Sequence, residues 1–462
     1  METSDKTAFV LAGGGAKGAF EAGAVSYLVE EEGVVPDVIT ATSAGAVCAA
    51  VLAQARGHAE LVERTRELRD DLLAMTRADL LFGKQPWVAE LEGTLFGRAL
   101  DYWVVESTRP PVPGTTGEVR RQRRSPRRRA IRVAGQVVRA VPSLRRARRR
   151  MPGRASSVLT LDPLAERLRW GGRGIAPVDP ALIARPGLDL RISVVALGAG
   201  ALRYVTGDGT IVAGDALTPL PGNSAGPVDV IDAVIASASV PMIFPPRALA
   251  GDAYVDGGIV ENIPVAAAAA LGARRIFAVL AVPLDPPAEH FDYARASAPA
   301  VFLRAIGAIS FAERQRANLT PPLPEGTELT VIDPVVDVVG PFEVARGLML
   351  LNMDYGWMRA ADMSADIGPA ARQRAVEATD AIVVARTQAW HREEELWSGE
   401  GRSAGDVAAL TSLKRVVRDA LTERKELGLP VPHDATRWWS GYEIHERVRP
   451  ASLPPGLFDE RG

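Results

Sequence analysis

The chain has 462 residues, 47% of them hydrophobic, with 54 basic and 56 acidic side chains and a net charge of −2. A sequence this apolar excludes wholesale disorder and predicts two to three domain-sized units, or one large core with insertions and an appended helical part. The single cysteine, Cys48, excludes an internal disulfide and a thiolate metal centre, and five scattered histidines argue against a histidine-rich one, so no metal or cofactor is expected.

The first residues carry no basic stretch followed by an apolar run and a small-residue cleavage site, so no leader is expected and a cytoplasmic location is the default. Residues 7–12 read as a buried strand ending in glycines, followed by a helical pattern through Glu32. Residues 37–41 form a second such strand, followed by an Ala-rich helix from Ala44 to about Ala55. Strand then helix, twice, predicts an α/β fold with a parallel sheet. Strand character returns at 188–197, and 203–212 reads as a hairpin around Gly207-Asp208-Gly209. Tyr254-Val255 adds a short strand. The apolar run 263–284 is interrupted by Arg274 and Arg275, which a bilayer centre does not tolerate; it reads as a buried helix, a turn at Gly272 and a strand over 276–282. Residues 329–332 supply another strand. After about Phe342 the chain turns helical, most clearly over 403–427. The expected organisation is an α/β catalytic domain over 1–340 and a helical region over 341–462. Cys48, Met349, Met353, Met358 and the Trp438-Trp439 pair are expected to pack in the interior.

Residues 120–154 stand apart, with 15 arginines and no acidic residue. The rest of the chain then holds 39 basic against 56 acidic side chains, or −17, so overall neutrality is only the sum of an acidic body and a basic insertion over 118–154. Ile131, Ala134, Val137, Val138, Val141 and Leu144 recur among the arginines at near-helical spacing. Three roles compete: a solvated insertion, peripheral contact with anionic membranes, and nucleic-acid binding, which ranks lowest because no aromatic is interleaved.

Two turns carry chemistry. Gly13-Gly14-Gly15-Ala16-Lys17-Gly18 follows a strand and opens a helix. It matches G-x-G-x-x-G, but a dinucleotide site also calls for an acidic residue at the end of the second strand, and Asp37 stands at its start. The same loop can aim backbone N–H groups, aided by the helix dipole, at an oxyanion. Thr40-Ala41-Thr42-Ser43-Ala44-Gly45 puts Ser43 at a strand-to-helix turn with small neighbours, where it serves either as nucleophile or as helix cap. No histidine lies in a motif-like setting, and Asp256, ending a short strand before Gly257-Gly258, is the candidate base.

The glycine loop, the Ser43 turn and Asp256-Gly257-Gly258, together with Ala236-Ser237-Ala238-Ser239-Val240-Pro241 and Asn262-Ile263-Pro264, resemble the patatin-like phospholipases. That resemblance implies a three-layer α/β sandwich with a mainly parallel central sheet and a Ser43–Asp256 dyad without histidine. It implies an oxyanion hole from the N–H groups of Gly14 and Gly15, with Gly13 alongside. Lys17, Gly18, Ala41, Gly45, Gly257 and Gly258 match motif positions, Ala41 standing where the family pattern has glycine. The implied substrate is a lipid acyl ester. The alternative is a catalytically inactive module of the same fold that binds anionic membranes through its arginines.

Overall fold

The computed structural model describes residues 6–75, 77–92, 157–220, 226–285, 293–295, 301–398 and 404–440, with Thr94 and Val112. The arginine-rich insertion over 118–154, with its expected amphipathic stretch, lies outside the described residues. The strands are β1 (Lys6–Leu11), β2 (Val38–Ala41), β3 (Gly83–Lys84), β4 (Leu159–Thr160), β5 (Asp189–Ala196), β6 (Ala201–Thr206), β7 (Ile211–Ala213), β8 (Arg247–Leu249), β9 (Asp252–Asp256), β10 (Ala273–Val279) and β11 (Glu328–Ile332). The helices that position the site and build the C-terminal region are α1 (Gly18–Glu30), α2 (Ala44–Leu52), α3 (Gly57–Ala74), α4 (Val230–Ser237), α5 (Val265–Ala270), α6 (Phe311–Leu319), α7 (Arg346–Ser364), α8 (Pro369–Ser398) and α9 (Ala404–Glu426).

The sheet runs β11-β10-β1-β2-β5-β6-β7. From β11 to β5 every pair is parallel, and β6, β7, β8 and β9 continue it antiparallel. Alternation along β1 explains the layers. Phe9 and Leu11 enter one core, with Phe20 and Leu28 of α1. Ala8, Val10 and Ala12 enter the opposite core, with Ala268 of α5. Helices therefore cover both faces of a mostly parallel sheet.

The stretch 263–284 departs from expectation by about one helical turn. Its helix ends at Ala270 and its strand begins at Ala273, so Arg274 and Arg275 lie inside β10 instead of before it. Both sit at the start of the strand, and the Arg275 guanidinium lies 4.8 Å from the centre of the Phe277 ring. This contact lets an arginine occupy a position that patterning assigns to a turn.

The C-terminal helical region is present and is not separate from the sheet. Helix α7 lies along α1 at a reciprocal glycine contact: a β-carbon at Gly23 would stand 1.8 Å from the Met353 carbonyl oxygen, and one at Gly356 would stand 1.9 Å from that of Phe20. The Phe20 and Tyr355 rings meet edge to face beside it. Met349, Met353 and Met358 are buried as expected, as is Trp438, whose ring lies under the Arg386 guanidinium at 3.8 Å.

Candidate active site

The topology brings two strand ends together. β2 pairs with the first half of β5, ending at Ala41 opposite Ile192. β9 runs the other way along the second half of the same edge, ending at Asp256 opposite Val194. The segments leaving β2 and β9 therefore meet head to head. The side chain of Ser193, between those two positions on β5, hydrogen-bonds Thr42 at 2.6 Å. A β-carbon at Gly257 would stand 2.1 Å from the same Ser193 hydroxyl oxygen, so glycine is the residue that lets the two segments close on one another.

Ser43 has φ 55° and ψ −119°, the backbone of a sharp strand-to-helix elbow and a conformation that costs a non-glycine residue roughly 1–3 kcal/mol. Its side chain makes no capping bond to α2. Its backbone N–H donates to Ser237 Oγ at 2.9 Å. A β-carbon at Gly45 would meet the Leu11 carbonyl oxygen at 2.5 Å, whereas Ala41 is accommodated as a buried strand residue.

Asp256 ends β9 with its N–H donated to the Ser239 carbonyl at 3.1 Å and its Oδ1 accepting the Gly258 N–H at 2.7 Å. Burial pushes its carboxyl up to about 6, against the opposing pull of hydrogen bonds from the Ser43 hydroxyl and the Gly258 N–H. The 236–241 block thus has a physical role that sequence did not disclose: Ser237 holds the backbone of Ser43, and Ser239 holds that of Asp256.

The glycine loop lies against this pair. A β-carbon at Gly13 would stand 2.8 Å from that of Ser43 and 2.6 Å from Asn262 Oδ1. The Gly13 N–H donates to Asn262 Oδ1 at 3.1 Å, and Asn262 Nδ2 donates back to the Gly13 carbonyl at 3.3 Å. Gly13 is therefore clamped, and its N–H is not open to an incoming oxyanion. Among the described residues no acceptor meets the N–H of Gly14 or Gly15. Gly15 has φ +63°, and a β-carbon there would strike the Pro341 carbonyl oxygen at 2.4 Å, an oxygen that already accepts the Ala16 N–H at 2.9 Å. Lys17 pairs with Asp337 at 2.6 Å, and its carbonyl accepts from Asn352 Nδ2 at 3.2 Å. Its position is that of an anchor for the loop. Gly18 opens α1 in ordinary contact with Ala44 and Glu21.

Sequence reasoning missed three buried amides, one half-buried amide and one buried carboxyl. Asn262 fixes Gly13; Gln315 Oε1 accepts from Asn262 Nδ2 at 3.1 Å, and Asn318 Oδ1 accepts from the Asn262 N–H at 2.9 Å. Asn352 holds the Lys17 carbonyl. Glu21, one turn into α1, is fully buried, makes no hydrogen bond with either carboxyl oxygen among the described residues, and is pushed well above the usual carboxylate range by burial. Cys48 beside it is buried as expected, and burial likewise raises its thiol.

The family model of the patatin-like phospholipases matches residues 9–269, more than half of the chain, a span that includes the glycine loop, Ser43 and Asp256. The chain belongs to the patatin-like phospholipase family. Lipid-ester hydrolysis is that family's chemistry. No match is found among curated protein sequences. Among solved structures, the chain is similar to VipD from Legionella pneumophila, at 14% identity over 96% of this chain and 93% of that one, with a TM-score of 0.29. It is also similar to full-length ExoU in complex with SpcU, from the type III secretion system of Pseudomonas aeruginosa, at 17% identity over 95% of this chain and 70% of that one, with a TM-score of 0.22. Likeness at this level defines neither substrate nor partner. Among the described residues no helix is long and apolar enough to cross a membrane.

Proposed function

We propose that this patatin-like protein is a serine lipid acyl hydrolase of phospholipase or lysophospholipase type, with Ser43 as nucleophile and Asp256 as its direct base. The observation that carries the reading is the elbow at Ser43: a strained residue whose hydroxyl caps no helix and pulls downward on the buried Asp256 carboxyl, which burial holds at about 6. Asp256 accepts the Ser43 proton as Oγ attacks the ester carbonyl carbon. The oxyanion forms against the N–H groups of Gly14 and Gly15 at the start of α1, each donor contributing about 3 kcal/mol of barrier lowering. Collapse of the intermediate expels the alcohol, which takes the proton from Asp256. Water, deprotonated by the same carboxylate, then cleaves the acyl-enzyme and restores Ser43. No histidine enters the cycle.

Ser43→Ala and Asp256→Asn are each expected to lower ester hydrolysis by about four orders of magnitude, with circular dichroism unchanged. Release of fatty acid from a panel of phospholipids, lysophospholipids and neutral glycerides is the readout. Activity near that of the native chain in either variant contradicts the dyad.

The arginine-rich insertion is assigned to peripheral contact with anionic membranes. The support is the 15 arginines without a carboxylate over 120–154, on a chain otherwise at −17, a body that anionic lipid would repel. Deleting 118–154 is expected to abolish the salt-sensitive part of vesicle binding in a sedimentation assay. Unchanged binding to anionic vesicles contradicts it.

A further inference from the structure

A helical run leads from residue 301 to the end of α6, its part over Leu303–Ser310 wound in the wider π form and continuous with α6. Its C-terminal end is locked to the candidate active site, because Gln315 and Asn318 hold the same Asn262 that clamps Gly13. Its other end presents Val301, Phe302, Ile306 and Ile309 to solvent, each between 42% and 57% exposed. Across residues 301–312 the only ionisable side chain is Arg304, and there is no carboxylate. Val240 and Met242, just past the residue that holds Asp256, and Ile259 and Val260, just past Gly258, are exposed as well. Isolated exposed apolar residues are ordinary on a soluble surface, but a helix end apolar in this way has to be covered by something.

We propose that the 301–310 helix is the element that enters a lipid bilayer, with Val301, Phe302, Ile306 and Ile309 among the acyl chains. This rests on the lipid-hydrolase reading, since it names the surface from which the substrate is drawn. Two features select lipid over a second copy of the chain. Residues 301–312 carry no carboxylate to repel phosphate headgroups and none to form the charged part of a polar rim toward a protein partner. The geometry also connects: nine residues separate Ile306 from Gln315, about 14 Å of helix, so a helix seated 5–10 Å deep holds Asn262 and the glycine loop close to the headgroup layer.

The test uses the full chain and vesicles of phosphatidylcholine with phosphatidylglycerol, sedimented at low salt and at ~1 M salt, where a Debye length of about 3 Å removes the arginine contribution. Phe302→Asp and the double variant Ile306→Asp/Ile309→Asp are compared with Val416→Asp, an exposed position on α9. The wild type and Val416→Asp are expected to stay vesicle-bound at high salt, while both helix variants lose roughly tenfold or more in partitioning. Hydrolysis of a short soluble ester is expected to be unchanged in all four, which also shows that the variants fold. Equal partitioning of the helix variants and the wild type overturns the proposal. So does a dimer in sedimentation velocity that dissociates in the helix variants while vesicle binding stays constant, which assigns the face to a second copy. Binding is read without turnover, so an inert wild type removes the hydrolase reading and leaves the docking result to be judged separately.

Discussion

Burial holds Asp256, the proposed base, in a state that costs stability at neutral pH. Folding raises its carboxyl from 3.8 to about 6, so the folded chain binds that proton more tightly than the unfolded chain. The resulting stability is fully present below about pH 4 and is lost as pH rises through 6. Asp256→Asn, which is neutral at every pH, is therefore expected to raise stability at pH 7.5 by about 3 kcal/mol and to give no gain at pH 4, as read by urea titration. Ester hydrolysis by the native chain is expected to fall below about pH 6 with a single ionisation, because only the carboxylate can take the Ser43 proton. Asn262 makes the complementary case. Asn262→Ala leaves the Gly13 N–H, its carbonyl and Gln315 without their buried partner, so a loss of about 2–4 kcal/mol is expected, with kcat falling as the loop loosens. Thermal unfolding and single-turnover kinetics check the two parts. The proposed catalytic residues could be picked out in sequence because elbow, glycine loop and Asp-Gly-Gly are local chemical patterns. Asn262, Ser237 and Gln315 were not, because their roles depend on partners that only the fold brings near, 249 residues apart for Asn262 and Gly13.

At the scale of elements, the strands of the parallel core were readable because central strands are continuous apolar runs, and β1, β2, β5 and β11 fall within a residue or so of their expected positions. β10 begins three residues before its expected start at 276, because the aliphatic stem of Arg275 and its aromatic neighbour Phe277 keep the arginine in the strand. Neither α3 nor the 301–319 helix was anticipated. The contact of α1 with α7 was equally hidden, since a lone glycine inside a helical pattern reads as a weakness. Here Gly23 and Gly356 set the distance between the two helices. Gly356→Ala has to displace the Phe20 backbone, and a loss of at least ~2 kcal/mol is expected, measured as a lowered denaturation midpoint with an unchanged slope. An unchanged midpoint contradicts the close packing.

Across the whole molecule, buried charge ties the helices beginning near 341 to one another, and hydrogen bonds and packing join them to the α/β part. Arg424 of α9 pairs with Asp362 of α7, both fully buried, and Thr379 of α8 donates to Asp362 at 2.7 Å. Tyr355 links Arg359, Asp380 and the Val335 backbone next to β11. Asp362→Ala leaves a buried guanidinium uncompensated and is expected to cost about 3–5 kcal/mol. Because α7 also holds the Lys17 carbonyl through Asn352, that loss is expected to appear as reduced ester hydrolysis as well as a lowered melting temperature. All of these couplings serve the claim that Ser43 is a nucleophile raised by Asp256, and adduct formation with a fluorophosphonate, read by mass spectrometry on the whole chain, tests it most directly. One adduct on Ser43 is predicted, forming more slowly as pH drops through 6 and absent in Ser43→Ala. An unmodified native chain, or one modified equally fast as Asp256→Asn, contradicts it.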